Sequence, residues 1–155
     1  MRFRQLMLLF GWFLRRPLWM LATLRATSRT LHIVQEKFPN IHGKDNAANA
    51  FRHALWNMLI ASKCFQIEGN LKLVLSWTKR VTDWHENFSP NAPLSRAMDL
   101  HNNQFGRELF RECQGKDEEV LVTMLTSQLK SAVQFSSLEG LKQCPDNLVF
   151  IHHDT

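Results

Sequence analysis

The sequence predicts an all-α protein, a compact helical bundle with a basic, apolar helix at its N-terminus. Apolar residues recur at helical spacing through most of residues 47–135. Clusters of Gly, Pro and Asn interrupt that pattern where helices should end. Only Leu148-Val149-Phe150-Ile151 reads as a short strand. A chain of 155 residues is long enough for one domain with a core, since about 70% of the unfolded surface is buried at that size. Hydrophobic residues make up 45% and charged residues 21%, which excludes a disordered chain; six Gly and five Pro exclude a collagen-like or low-complexity one.

The N-terminal segment, residues 1–44, is read as a unit apart from a helical domain over 45–155. Residues 1–35 hold six Arg (Arg2, Arg4, Arg15, Arg16, Arg25, Arg29) and no acid, so they carry +6 while the rest of the chain sums to −1. Leu6 to Leu14 is an apolar run of nine, stopped by Arg15, Arg16 and Pro17, and Leu18 to Ala22 resumes it. A spanning helix needs about 20 apolar residues, and the Arg pair opposes that. A signal peptide would need small residues where Arg-Arg-Pro stands. The expected role is contact of residues 1–22 with an anionic membrane surface: Trp12, Phe13 and Trp19 enter the lipid boundary while Arg side chains meet headgroups. Docking on a protein partner or on the domain's own core is the alternative. A dedicated nucleic-acid reader is not expected, because no patterned basic helix is present.

Thr23 to Phe38 is an imperfect helix broken by Pro39, Asn40 and Gly43. Ala47 to Phe65 is the clearest helix, with Ala47, Ala50, Phe51, Ala54, Leu55, Met58 and Leu59 on one side and Asp45 or Asn46 as cap. Gly69-Asn70 breaks the chain before a helix over Leu71 to Asn87. The turn Ser89-Pro90-Asn91-Ala92-Pro93 precedes a helix over Leu94 to Cys113. The last helix runs from Asp117 to about Phe135, opened by three acids suited to a helix N-terminus. Cys64, Cys113 and Cys144 are too few and too scattered for a disulfide framework or a zinc knuckle, and read as idle thiols in a reducing compartment.

Three helices carry polar stripes. Asn49, His53 and Asn57 stand at i, i+4 and i+8 and share a face, with Arg52 beside them. Asp83, His85 and Glu86 cluster at the C-terminal end of the next helix, where acids oppose the macrodipole. Asp99, Asn102, Asn103, Gly106 and Arg107 form the third stripe. Together they predict one site between three packed helices. His53, Glu86 and Asp99 each offer a ligand from a different helix, a donor set suited to zinc, manganese or iron. His85 or Asp83 is a candidate fourth ligand. Asn57, Asn102, Asn103 and Arg107 are candidates for supporting those ligands or for holding an anionic substrate. A metal-free acid/base site with His53 or His85 as base, or a buried polar network that fixes helix register, explains the same stripes. His152-His153-Asp154 has metal-like residues but a terminal position. No Gly-rich phosphate loop, Gly-x-Ser-x-Gly or His-Glu-x-x-His motif occurs.

The strings Asn49-Ala50-Phe51-Arg52-His53-Ala54-Leu55-Trp56-Asn57, His85-Glu86 and Met98-Asp99-Leu100-His101-Asn102-Asn103-Gln104-Phe105-Gly106-Arg107 resemble an uncharacterised bacterial family. That family occurs as small stand-alone proteins and as terminal domains of polymorphic secreted toxins. The likeness spans residues 45–110. It implies that His53, His85, Glu86, Asp99, Asn102, Asn103 and Arg107 belong to one site, and supplies no reaction. The His and carboxylate series is also loosely similar to that of helical phosphohydrolases, with Glu86 in place of an Asp and no second upstream ligand.

These readings combine into one expectation: a bacterial cytoplasmic hydrolase, peripheral to the inner membrane, acting on a phosphoester or lipid-like substrate with a divalent metal. Glu86 or His85 would be the base, and Arg107 would meet the phosphate. The alternatives are a non-enzymatic helical interaction protein and a toxin-like effector domain.

Overall fold

The computed structural model describes residues 3–39 and 45–151, with side chains from residue 7 onward. It is an all-α fold. Its helices are α1 (Phe3–Arg15), α2 (Pro17–Lys37), α3 (Ala47–Glu68), α4 (Leu71–Phe88), α5 (Pro93–Glu112), α6 (Glu118–Gln128) and the short α7 (Leu138–Lys142). Two three-residue strands, β1 (Val133–Phe135) and β2 (Val149–Ile151), pair in parallel with Val133 opposite Val149. The His152-His153-Asp154 motif lies outside the described residues.

Local chemistry sets the helix boundaries. Pro17 occupies the first turn of α2 and Pro93 that of α5, where a missing N–H costs nothing. Asn46 caps α3 by accepting from the Asn49 N–H, and Asn70 caps α4 by accepting from that of Leu73. Between α3 and α4 the chain turns at Gly69, whose φ of 71° favours glycine. Asp117 caps α6.

α3 is the central helix. Its Phe51, Leu55, Met58, Leu59 and Ile60 are buried, and α2, α4, α5 and α6 pack around it. α2 belongs to this core: Trp19, Ala22, Ala26 and Ile33 are buried with the α3 residues. Residues 17–37, which the sequence placed in a separate segment, therefore pack directly onto the site-bearing helix. The buried hydroxyls of α2 turn back on their own helix, Thr23 donating to the Trp19 carbonyl at 2.8 Å and Thr30 to that of Ala26 at 2.9 Å. α1 docks through Trp12, which meets Trp77 and Trp84 edge-on at 5.9 and 6.1 Å. Its Met7, Phe10 and Leu14 point outward. Cys64 and Cys113 are buried, and burial pushes the Cys64 thiol up to about 12.

Two expectations need correction. The last helix ends at Gln128 rather than near Phe135, and a 3₁₀ turn over Leu129–Ser131 leads into β1. Thr126 and Ser127 bond back to the carbonyls of Val122 and Met124, both at 2.6 Å, an alternative to helix continuation. Residues 133–135 then bury Phe135 with Met98, Val149 and Ile151. Asn102 is the second correction. Both ends of its amide clasp the backbone of Val149, donating to the carbonyl at 2.9 Å and accepting from the N–H at 3.0 Å. It pins β2 to α5 and takes no part in the cluster described below.

α3 and α5 approach more closely than side chains normally allow. A Cβ on Gly106 would lie 2.2 Å from the Ala54 carbonyl oxygen. Glycine permits this crossing, and the crossing brings the polar stripes of α3 and α5 together.

Candidate functional site

His53 on α3, Glu86 on α4 and Asp99 on α5 converge inside the bundle. One ligand atom from each lies within 4.8 Å of the others. All three are buried, with exposures of 5%, 1% and 3%. His53 Nδ1 lies 3.4 Å from Glu86 Oε1 and 3.3 Å from Asn103 Oδ1. His53 Nε2 lies 3.2 Å from Asp99 Oδ1. Both oxygens near Nδ1 are acceptors, so Nδ1 carries the hydrogen. Nε2 then faces an electron-rich oxygen, and that contact requires a proton or a cation between the two atoms.

Amides hold the carboxylates in place. Asn49 Nδ2 donates to Asp99 Oδ1 and Asn91 Nδ2 to Asp99 Oδ2, each at 3.0 Å. Asn103 Nδ2 donates to Glu86 Oε1 at 3.2 Å. Asn57 Nδ2 donates to Asn103 Oδ1 at 2.7 Å, and Asn57 Oδ1 accepts from Arg107 at 2.8 Å and from Thr82 at 3.2 Å. Glu86 Oε2 has no hydrogen-bond partner among the described residues. An orphaned carboxylate oxygen in a buried site is costly and is the kind of atom a metal ion would satisfy.

Burial pushes the Asp99 carboxyl up to about 6, although His53 and Asn49 pull it down. Glu86 feels the same desolvation, but the hydrogen bond and charge of His53, with Asn103, hold it below the ordinary range. The two carboxyls are thus driven apart in acidity, a pattern typical of functional sites. Burial also lowers His85, against the pull of Glu86.

His53, but neither Glu86 nor Asp99, borders a cavity of about 280 Å³ between Thr27, Thr30 and Leu31 of α2, Arg52 and Trp56 of α3, and His85 of α4. His53 forms its floor. His85 stacks edge-on against Trp56 at 5.2 Å, and Trp56 Nε1 donates to Thr27 at 2.8 Å. Arg52 donates to Asn49. A larger cavity of about 540 Å³ lies along α5 near α7 and includes none of the three cluster residues.

The structure thus gathers His53, Glu86, Asp99, Asn57 and Asn103, and sets His85 at the rim. Asp83 faces Lys79 on another side of α4. Arg107 joins the network through Asn57 but lines a different cavity from the one floored by His53. Sequence reasoning missed Asn91 and Thr82 as members. Thr82 stands four residues before Glu86 and so shares its face, a visible signal hidden among apolar neighbours. Asn91 sits in a turn, where an Asn needs no further explanation.

The family described as a domain of unknown function, DUF6973, matches residues 10–133. The chain belongs to that family, and the match takes in α2 to α6 and so every residue of the cluster. No curated protein and no solved structure matches the chain.

Proposed function

We propose that this member of DUF6973 is a divalent-metal-dependent hydrolase of phosphoesters, with the metal held by His53, Glu86 and Asp99. The observation that carries the reading is the convergence of one imidazole and two carboxylates from three helices, with Glu86 Oε2 unpartnered. Such a donor set suits zinc, manganese or iron. A metal ion there supplies polarisation of the ester and a lowered pKa for water. The protein supplies the rest. Asn49, Asn91 and Asn103 fix the carboxylates, His53 offers a ring nitrogen at the cavity floor, and Arg52 stands where a phosphate entering that cavity would meet a cation.

Membrane association is part of the same reading. Phe10, Leu14, Leu18, Leu21, Leu24 and Leu31 are all exposed on α1 and α2, and Leu31 also borders the cavity. No helix of the described residues is long and apolar enough to cross a membrane. Exposed apolar side chains among six Arg fit a chain lying on an anionic bilayer, on the cytoplasmic side of the inner membrane.

Metal analysis of tag-free protein tests the centre. Stoichiometric zinc, manganese or iron, lost in Glu86→Gln and Asp99→Asn together with hydrolysis of a chromogenic phosphoester, supports the reading. Absence of binding by all three metals refutes it. Flotation with phosphatidylglycerol vesicles tests the surface. Phe10→Gln/Leu14→Gln/Leu18→Gln should stay unbound while remaining folded, and unchanged flotation refutes the contact.

One observation favours a second reading. Both oxygens of Asp99 already accept amide hydrogens, and a proton on His53 Nε2 would complete the network without a metal. The chain would then be a non-enzymatic helical interaction protein with a structural polar centre. Under that reading added metal leaves the melting temperature unchanged.

A further inference from the structure

Arg107 is a buried residue, 6% exposed, whose guanidinium has no carboxylate within ion-pair distance among the described residues. Its hydrogen bonds leave from Nη1 alone, to Asn57 at 2.8 Å and to Thr82 at 3.4 Å. Nε and Nη2 have no protein partner there. Asp83 and Glu108 act on the guanidinium only from beyond ion-pair distance, and its unpartnered nitrogens are not sealed in the core, so they are open to an anion in the cavity they border. The guanidinium lines a cavity of about 240 Å³ shared with Lys79, Asp83, Asn87, Arg96 and Gln104. Lys79 pairs with Asp83, and Arg96 donates to Asn87 Oδ1 at 2.5 Å. The lining therefore carries three cations against one carboxylate, with side-chain amides at hand. This cavity shares no lining residue with the one floored by His53, and Arg107 is connected to His53 only through the Asn57 and Asn103 amides.

We propose that this cavity is a second, separate site that binds a phosphate group, with Arg107 as its floor and Lys79 and Arg96 at its rim. The planar fork of a guanidinium presents paired donors that match phosphate oxygens, and a low-dielectric floor strengthens each contact. The phosphate is either inorganic or the terminal group of a small monoester. The site does not depend on a metal at His53, Glu86 and Asp99.

Calorimetric titration of the chelator-treated full chain at fixed ionic strength tests it, with inorganic phosphate and glycerol phosphate as probes. Saturable binding of one equivalent is expected. Tighter binding of the first probe identifies the free ion as ligand, and of the second a monoester. The exposed pair Lys79→Gln/Arg96→Gln should weaken binding on the order of tenfold, and Asp83→Asn should tighten it. Arg52→Gln, in the cavity floored by His53 and outside the Arg107 hydrogen-bond ladder, should leave phosphate affinity as it is. Absence of saturable binding overturns the proposal. So does affinity lost in Arg52→Gln yet kept in the Lys79/Arg96 pair, which would place the anion in the cavity floored by His53. Asp83→Asn that lowers the melting temperature without tightening phosphate also overturns it, because Asp83 would then be the internal counter-charge of Arg107.

Discussion

Gly106→Ala sets two known effects against each other. In an ordinary helix the change gains up to about 1 kcal/mol of helix propensity. Here the new Cβ would meet the Ala54 carbonyl oxygen at 2.2 Å and the Ala54 Cα and C at 2.7 and 2.8 Å. Ordinary contact begins near 3.4 Å, so α3 and α5 must part by about 1 Å. The struck atoms are backbone and cannot rotate away. Overpacking of this kind costs about 1–3 kcal/mol and more when nothing yields, so the steric term wins by about 2 kcal/mol. In a domain of this size that lowers the melting temperature by roughly 4–8 °C. The same parting lengthens the 3.2 Å contact between His53 Nε2 and Asp99 Oδ1, so metal affinity should fall with stability. Thermal and urea melts by circular dichroism, with and without zinc, read both effects. Gly11→Ala is the control: its Cβ meets nothing within 4 Å, and it should hold or raise stability. A Gly106→Ala protein as stable as the parent would refute the close approach. Rescue by Ala54→Gly would refute it too, since that change leaves the struck backbone atoms in place.

Asn102→Ala should cost about 2–4 kcal/mol by leaving the Val149 N–H and carbonyl unpaired in the core. Hydrogen exchange at Val149 should rise more than at Leu55, and equal protection would refute the clasp. The pH dependence follows from Asp99. Its carboxyl rises from 3.8 to about 6 on folding, so the folded metal-free chain binds the extra proton between those values. Its contribution to stability therefore falls as pH rises from about 4 to 6, by roughly 3 kcal/mol. Glu86 runs the other way and loses its contribution as pH falls through and below 4.5. Metal affinity should drop by about tenfold per unit below pH 6 as Asp99 takes up its proton. Affinity flat from pH 7 to 5 would remove Asp99 from the ligand set.

The polar cluster was legible because α3, α4 and α5 are regular helices. On such helices i, i+4 spacing fixes which side chains share a face, and Asn49, His53 and Asn57 are carried inward together. Asn102 joins the stripe in the sequence because it stands at i+3 from Asp99, next to Asn103 at i+4. On a helix adjacent residues diverge by about 100°, and its true partner, Val149, lies on a strand too short to announce itself by alternation. β1 was hidden for the same reason. Trp12 and Trp19 read in the sequence as lipid contacts, with the core as the alternative, and the structure turns both onto Trp77. Only the placement of Trp77, far along the chain, separates them from the outward Phe10 and Leu14.

The ladder from Arg107 through Asn57 and Asn103 to Glu86 joins residues as many as 50 positions apart. Its members gain little until all three helices have docked, since a half-built polar ladder leaves charges stranded in an apolar interior. It is therefore expected to form after the hydrophobic nucleus, outside the folding transition state. Conservative substitutions along it should leave the folding limb of a chevron plot nearly unchanged and steepen escape from the native basin. On that expectation the ladder is a latch, setting how long the folded chain survives once formed and not how fast it is reached.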